Sequence, residues 1–143
     1  MSYTERYSEV HSLLGVINPA SYNSVQDTGY VSFANYHRGV IKIHCGVIGG
    51  NLDIDIEQGT TTAGAGAKTF NSGSKDITKT ATTDNNTVSV IEINSSEFDV
   101  NNGFDTLNVE VTPASAGIFS VEIWGIVPRF APVGVANLDT ITD

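Results

Sequence analysis

Three segments, TVSVIEIN (87–94), FDTLNVEVT (104–112) and IFSVEIWGIV (118–127), decide how this chain folds. Each alternates apolar with polar residues between turn-forming stretches, the pattern of half-buried β-strands. In the middle segment Leu107, Val109 and Val111 share one face while Asn108, Glu110 and Thr112 share the other, because successive strand side chains point to opposite sides. The spacing predicts antiparallel sheet with one face in a core. No residue in the three segments is placed for a reaction.

Working outward, residues 29–33 and 38–48 read as the first two strands, with Ile41, Ile43, Cys45 and Val47 facing one way and Lys42 and His44 the other. Leu52, Ile54 and Ile56 alternate without a fault against Asp53, Asp55 and Glu57. Between these runs, Gly49-Gly50 suits a two-residue hairpin turn, since glycine reaches positive φ at no steric cost. Nearer the N-terminus, Tyr3, Tyr7, Val10 and Leu14 recur at helical spacing and Gly15 is placed to end a short helix. So short a helix is marginal in water, so either its own domain or a neighbouring subunit must supply a surface. Asn18, Pro19 and Ala20 then break the pattern. The expected organisation is an N-terminal arm, 1–20, and one all-β domain, 21–143, which suits a chain of 143 residues.

Residues 59–86 differ in kind. There 21 of 28 residues are Gly, Ala, Ser, Thr or Asn, too few large side chains for a core of their own. The segment reads as a long inserted loop with a short strand near 76–80. It carries Lys68, Lys75 and Lys79, and a loop this long in a compact domain is commonly one that binds. From Pro128 to Asp143 the tail, with Pro132 and Gly134, is too irregular for a central strand.

The net charge of −9 is unevenly spread: acids and bases cancel over residues 1–50, so the whole excess lies beyond. An acidic surface repels phosphate backbones, which argues against nucleic acid as a direct partner. The single cysteine, Cys45, cannot form an internal disulfide and reads as a small buried strand residue. No basic segment leads into an apolar run and no stretch reaches the length of a membrane span, so a soluble protein made without a cleaved signal is expected.

Chemical constellations fail in detail. Gly59 to Thr69 follows a strand and ends in Lys68-Thr69, but a phosphate loop needs glycine where this chain has Thr62 and Ala67. Asp53, Asp55 and Glu57 share a strand face, which spreads carboxylates where a calcium loop would converge them. His44 and Cys45 are adjacent and point apart, and His11 and His37 have no ligand-spaced neighbour. No nucleophile elbow and no Ser, His and Asp grouping stands out. No catalysis, metal or cofactor is expected. Trp124 lies on the polar parity of its strand and either covers a second core layer or meets a partner.

The order of several short motifs resembles the capsid decoration, or cement, proteins of tailed bacteriophages. These motifs are Ile17-Asn18-Pro19 after the short arm, Thr28-Gly29-Tyr30-Val31 leading into Tyr36-His37-Arg38, and Gln58 with the loop TAGAGAK (62–68). Ile91-Glu92-Ile93 and EFDVNNGF (97–104) follow, while the last 14 or so residues carry no match. The resemblance implies an antiparallel β-sandwich or jelly roll, a small homo-oligomer (trimer or dimer), that binds the major capsid protein on the outside of an assembled capsid. It would be assembled in the host cytoplasm, displayed on the virion, and would contact neither membrane nor genome. With the residue reading, it places contacts to capsid or neighbouring subunits at Tyr3, Tyr7, Val10 and Leu14 of the arm and at Lys68, Phe70, Lys75 and Lys79 of the loop. Two other readings stay open: a carbohydrate-binding head-fibre or surface module, for which Trp124 and the acidic strand faces are the hint, and a head–tail connector or tail component.

Overall fold

The computed structural model describes residues 5–134 and Leu138. Two antiparallel sheets pack face to face as a β-sandwich. One has four strands in the order β1 (His11–Tyr22), β10 (Gly117–Pro128), β4 (Tyr36–Ile48) and β8 (Val88–Asn94). In the six-stranded sheet, β9 (Thr106–Pro113) and β5 (Leu52–Gly59) form the centre. The two-residue strands β2 (Gln26–Asp27) and β3 (Val31–Ser32) line the β9 edge, and β6 (Lys68–Thr69) and β7 (Ile77–Lys79) line the β5 edge. The described helix is one α-helical turn, α1 (Tyr7–Val10), with three short 3-10 turns.

The alternation in the sequence becomes the core. Ile41 and Ile43 of β4, Val121 and Ile123 of β10, and Ile91 and Ile93 of β8 face Leu52, Ile54 and Ile56 of β5 and Leu107, Val109 and Val111 of β9. Phe33, Phe70 and Phe98 close one end as an aromatic chain, with ring centroids 4.9 Å apart between Phe70 and Phe98 and 5.6 Å between Phe98 and Phe33. Burial of so many branched aliphatics is the main favourable term in folding.

Four expectations are corrected by tertiary pairing. Gly49-Gly50 is not a hairpin turn, because β4 and β5 lie in different sheets; it is a crossover at the sandwich corner. Its glycines are required by proximity: a Cβ on Gly49 would stand 2.8 Å from the Ala116 carbonyl oxygen, and one on Gly50 2.8 Å from the Ser115 nitrogen. Residues 114–116 form another crossover, from β9 to β10, and these two of the sheet-changing connections lie against each other, joined by Gly49 N–H donating to Ala116 O at 2.9 Å.

The helical arm is the second correction. Helix covers only Tyr7–Val10; from His11 onward the chain is β1, paired antiparallel with β10, so Leu14 belongs to a strand and packs against the core. Asn18-Pro19 does not end this strand, because the β1–β10 register shifts between Ile17 and Ala20, and a bulge on an edge strand tolerates proline. Third, the 29–33 strand shortens to Val31–Ser32. Fourth, Val47 is 59% exposed and Ile48 takes the inward place. The β4–β10 register slips there, between the Cys45–Phe119 and Ile48–Gly117 pairs, which reverses facing.

The inserted loop holds onto the domain instead of waiting for a partner to order it. Phe70, expected at a contact surface, is fully buried in the core. Buried Gln58 donates from Nε2 to Thr69 O and accepts from Asp99 N–H, tying the loop to the segment after β8. The short strand expected near 76–80 is β7. Asp84 accepts from the backbone N–H of Thr80 at 2.6 Å, closing the turn that leads to β8.

Candidate functional site

The sandwich presents two outer faces of opposite chemistry. On the four-stranded sheet, register aligns the outward side chains in rows: Leu13, Trp124, Val40 and Glu92; then Val16, Glu122, Lys42 and Val90; then Ser120, His44 and Val88. Glu122 and Lys42 are direct cross-strand partners, so this face is close to neutral, and Val16, Val88, Val90 and Ile118 stand exposed on it. Trp124 is only 8% exposed. Tyr7 of α1 packs edge-on against it at 5.6 Å and in turn stacks on His11 at 4.1 Å. Lys42 Nζ lies 5.4 Å from the indole centroid, and Trp124 Nε1 donates to Glu122 at 3.2 Å. Trp124 therefore covers a second layer beneath α1, which leaves it no free ring face for stacking on a sugar.

The six-stranded sheet shows the reverse. Asp27 of β2, Glu110 of β9 and Asp55 of β5 form one cross-strand row of carboxylates, flanked by Asp53 and Glu57 on β5 and by Asp76. Partial burial first, then the neighbouring carboxylates, raises the carboxyls of Asp55 and Glu110 above their ordinary values. Asp53 accepts from Thr78 Oγ1, Asp76 from Ile56 N–H, and Glu57 from Tyr30 Oη at 2.6 Å. Burial and the Glu57 carboxylate push the Tyr30 hydroxyl well up. Among the described residues no group of three or more His, Cys, Asp and Glu side chains is arranged to hold a metal ion.

The carboxylate row yields a signed expectation. A carboxyl whose folded-state value is raised binds protons more readily folded than unfolded, so Asp55 and Glu110 cost stability at neutral pH. That cost is relieved as pH falls through their raised values toward the ordinary carboxylate range. Glu110→Gln is expected to raise stability at neutral pH by about 0.2–1 kcal/mol, the scale of a like-charge cross-strand pair. Its advantage over the parent should shrink as pH is lowered to about 5. Thermal melts of both proteins across that range test this; an advantage that grows on acidification would contradict it.

The expected contact residues do not form one patch. Tyr3 lies outside the described residues. Tyr7 is half exposed on α1, Val10 is half-buried beside it, and Leu14 and Phe70 face inward. The three lysines are each neutralised by an acid of the same chain. Lys68 pairs with Asp99 and sits 4.2 Å over the Phe104 ring. Lys75 pairs with Glu97 at 3.2 Å and donates to the Glu92 carbonyl. Lys79 pairs with Asp84 and donates to Ser89 Oγ at 2.7 Å. The carboxyls answer accordingly: Lys68 and then Asn102 hold Asp99 below its usual range, and Thr80 N–H, with help from Lys79, does so for Asp84. The positive patch expected on the loop is thus a set of internal clamps. A cleft at one sandwich end, over Phe33, Phe98 and Phe104, with Asp105 and Arg129 at its rim, has a volume of about 260 Å³, below the roughly 300–1,000 Å³ usual for small-molecule sites.

What the sequence did not single out is the exposed valine surface. Its signal was present in TVSVIEIN, where Val88 and Val90 occupy the parity opposite to Ile91 and Ile93, giving apolar residues on both faces of one strand. Set against protein-family models and against curated proteins, the chain matches none.

Proposed function

We propose that this protein is a structural component of a phage virion that seats on the outside of the assembled capsid, bound to the major capsid protein, and stabilises the shell without catalysis. One observation carries the reading: a plaque-like sandwich with a near-neutral, valine-studded face backed by a strongly acidic one. An exposed apolar surface rimmed by polar residues is suited to protein contact, and the acidic face, turned to solvent, keeps decorated particles from adhering to one another. In this orientation the contact surface is the outer face of the four-stranded sheet with α1 at its border. The loop lysines serve the fold.

The test is addition of purified protein to undecorated capsids, followed by quantitation of bound copies and of the temperature at which the shells open. Saturable binding at hundreds of copies per particle with a raised opening temperature supports decoration. A dozen copies or fewer would mean a connector or fibre component, and no binding would overturn the reading. Val16→Lys, on the proposed face, away from the core and opposite Glu122, is expected to weaken binding at least tenfold while leaving the protein's own melting temperature nearly unchanged.

A further inference from the structure

Of the four lateral edges of this sandwich, the described residues leave one open. In the six-stranded sheet the outer strands are two or three residues long, too short to template another chain. In the other sheet, β1 is long but carries two register shifts and Pro19, and its beginning is covered where Val133 N–H donates to Glu9 O and Ser12 Oγ donates to Gly134 O. Bulges, proline and covering segments are how edges are kept from pairing. β8 has neither bulge nor proline: it runs Val88–Asn94 without a register shift, pairs among the described residues only with β4, meets Lys75 at its Glu92 carbonyl, and exposes Val88 and Val90 by 58% and 57%.

Hydrogen-bond parity fixes which groups that edge offers. Cys45 N–H donates to Thr87 O, and register continues with His44 opposite Val88. In an antiparallel ladder bonded and non-bonded pairs alternate, so Thr87, Ser89, Ile91 and Ile93 bond to β4. The N–H and C=O groups of Val88, Val90 and Glu92 then point away from the sheet. Lys75 Nζ donating to the Glu92 carbonyl from outside at 3.0 Å agrees with this parity.

We propose that a second copy of this chain occupies the edge, β8 against β8 antiparallel about a twofold axis at Val90, joining the two four-stranded sheets into one of eight strands. In that register Val90 meets the partner's Val90 and Val88 meets the partner's Glu92, each pair able to exchange backbone bonds. Glu92 O accepts the new bond on its second lone pair, so Lys75 need not leave. No like charges are opposed: Lys42, next to Val90, already faces Glu122, and the partner's Glu92 lies toward His44. Centring instead on Glu92 would set two carboxylates against each other. A twofold pairing consumes both open edges at once and closes on itself, leaving nothing for a third copy. Pairing is independent of capsid binding and is measured on the protein alone.

Sedimentation or light scattering on the full chain is expected to give a dimer mass. Val90→Glu, which faces Lys42 within the chain but would meet its own copy across the twofold, is expected to give a folded monomer with unchanged circular dichroism and at least a tenfold higher dissociation constant. Should that variant misfold, Val90→Cys decides. Bonded antiparallel partners stand about 5.5 Å apart at Cα, within disulfide reach, so mild oxidation should link two chains through position 90. Ile118→Cys, on the same face but away from the edge, should not link. A monomer at high concentration, a trimer, a dimer that survives Val90→Glu, or equal crosslinking at both positions would each overturn the proposal.

Discussion

Removal of residues 1–20 is expected to abolish cooperative folding. Those residues include most of β1, which pairs with β10 at nine registered positions and brings Ile17 into the core and Leu14 against it. A cross-strand hydrogen bond contributes about 1 kcal/mol net and a buried aliphatic side chain about 1.5–3 kcal/mol. The sum is of the order of the 5–15 kcal/mol that holds a typical domain together. β10 would also become a long unprotected edge. The expected product is aggregated or molten protein, seen as loss of a sharp thermal transition. Removal of residues 1–10 should behave differently: it takes away α1, uncovers Trp124, red-shifts its fluorescence and lowers the melting temperature only modestly. If the longer truncation melts like the parent, β1 is dispensable and the fold as described is wrong.

Phe70→Ala is the second large effect. Its ring is completely enclosed, 4.9 Å from the Phe98 ring, and a buried Phe cut to Ala costs about 3–5 kcal/mol. The side chain is also what holds the insertion down: immediately after it Asn71 and Ser72 carry left-handed φ values of 44° and 55°, a strain that persists only where packing over-determines it. Loss of the ring should therefore release residues 59–86 before the rest of the sandwich melts. The check is a melting curve together with limited proteolysis: a fall of about 10 °C or more, with first cleavage inside that segment. Phe70→Leu should recover much of the loss. A Phe70→Ala protein with parental stability and no new cleavage site would show that the loop is held by its polar contacts alone.

The central strands were legible because strand periodicity is local. Leu52, Ile54 and Ile56, and Leu107, Val109 and Val111, face inward as their alternation requires, and the all-β sandwich follows from them. What was not legible depended on partners far along the chain. The spacing of Tyr3, Tyr7, Val10 and Leu14 fits a helix, but β10 offers His11 onward an edge to pair with, and pairing outweighs a weak local propensity. Gly49-Gly50 has the composition of a tight turn, yet no local feature says whether the next strand returns to the same sheet or crosses to the other. The contact residues suffered likewise: Lys75 and Lys79 read as free charges only while Glu97 and Asp84 were out of view. The valine face was visible as a double parity in one strand, a pattern easily absorbed into the expectation of a two-sided core.

The position of β10 has a consequence for how the protein is made. It lies between β1 and β4, both completed early in synthesis, yet β10 itself is the last strand to be translated among those described. Until it emerges, β1 has no strand to bond to and β4 has only β8, so the four-stranded sheet cannot close on the ribosome in the order in which it is read out. Such non-local pairing is slow, and its unfinished intermediates expose hydrophobic strands. A nascent chain stalled before residue 117 should thus stay protease-sensitive and chaperone-bound, and one released past residue 128 should become resistant in a single step.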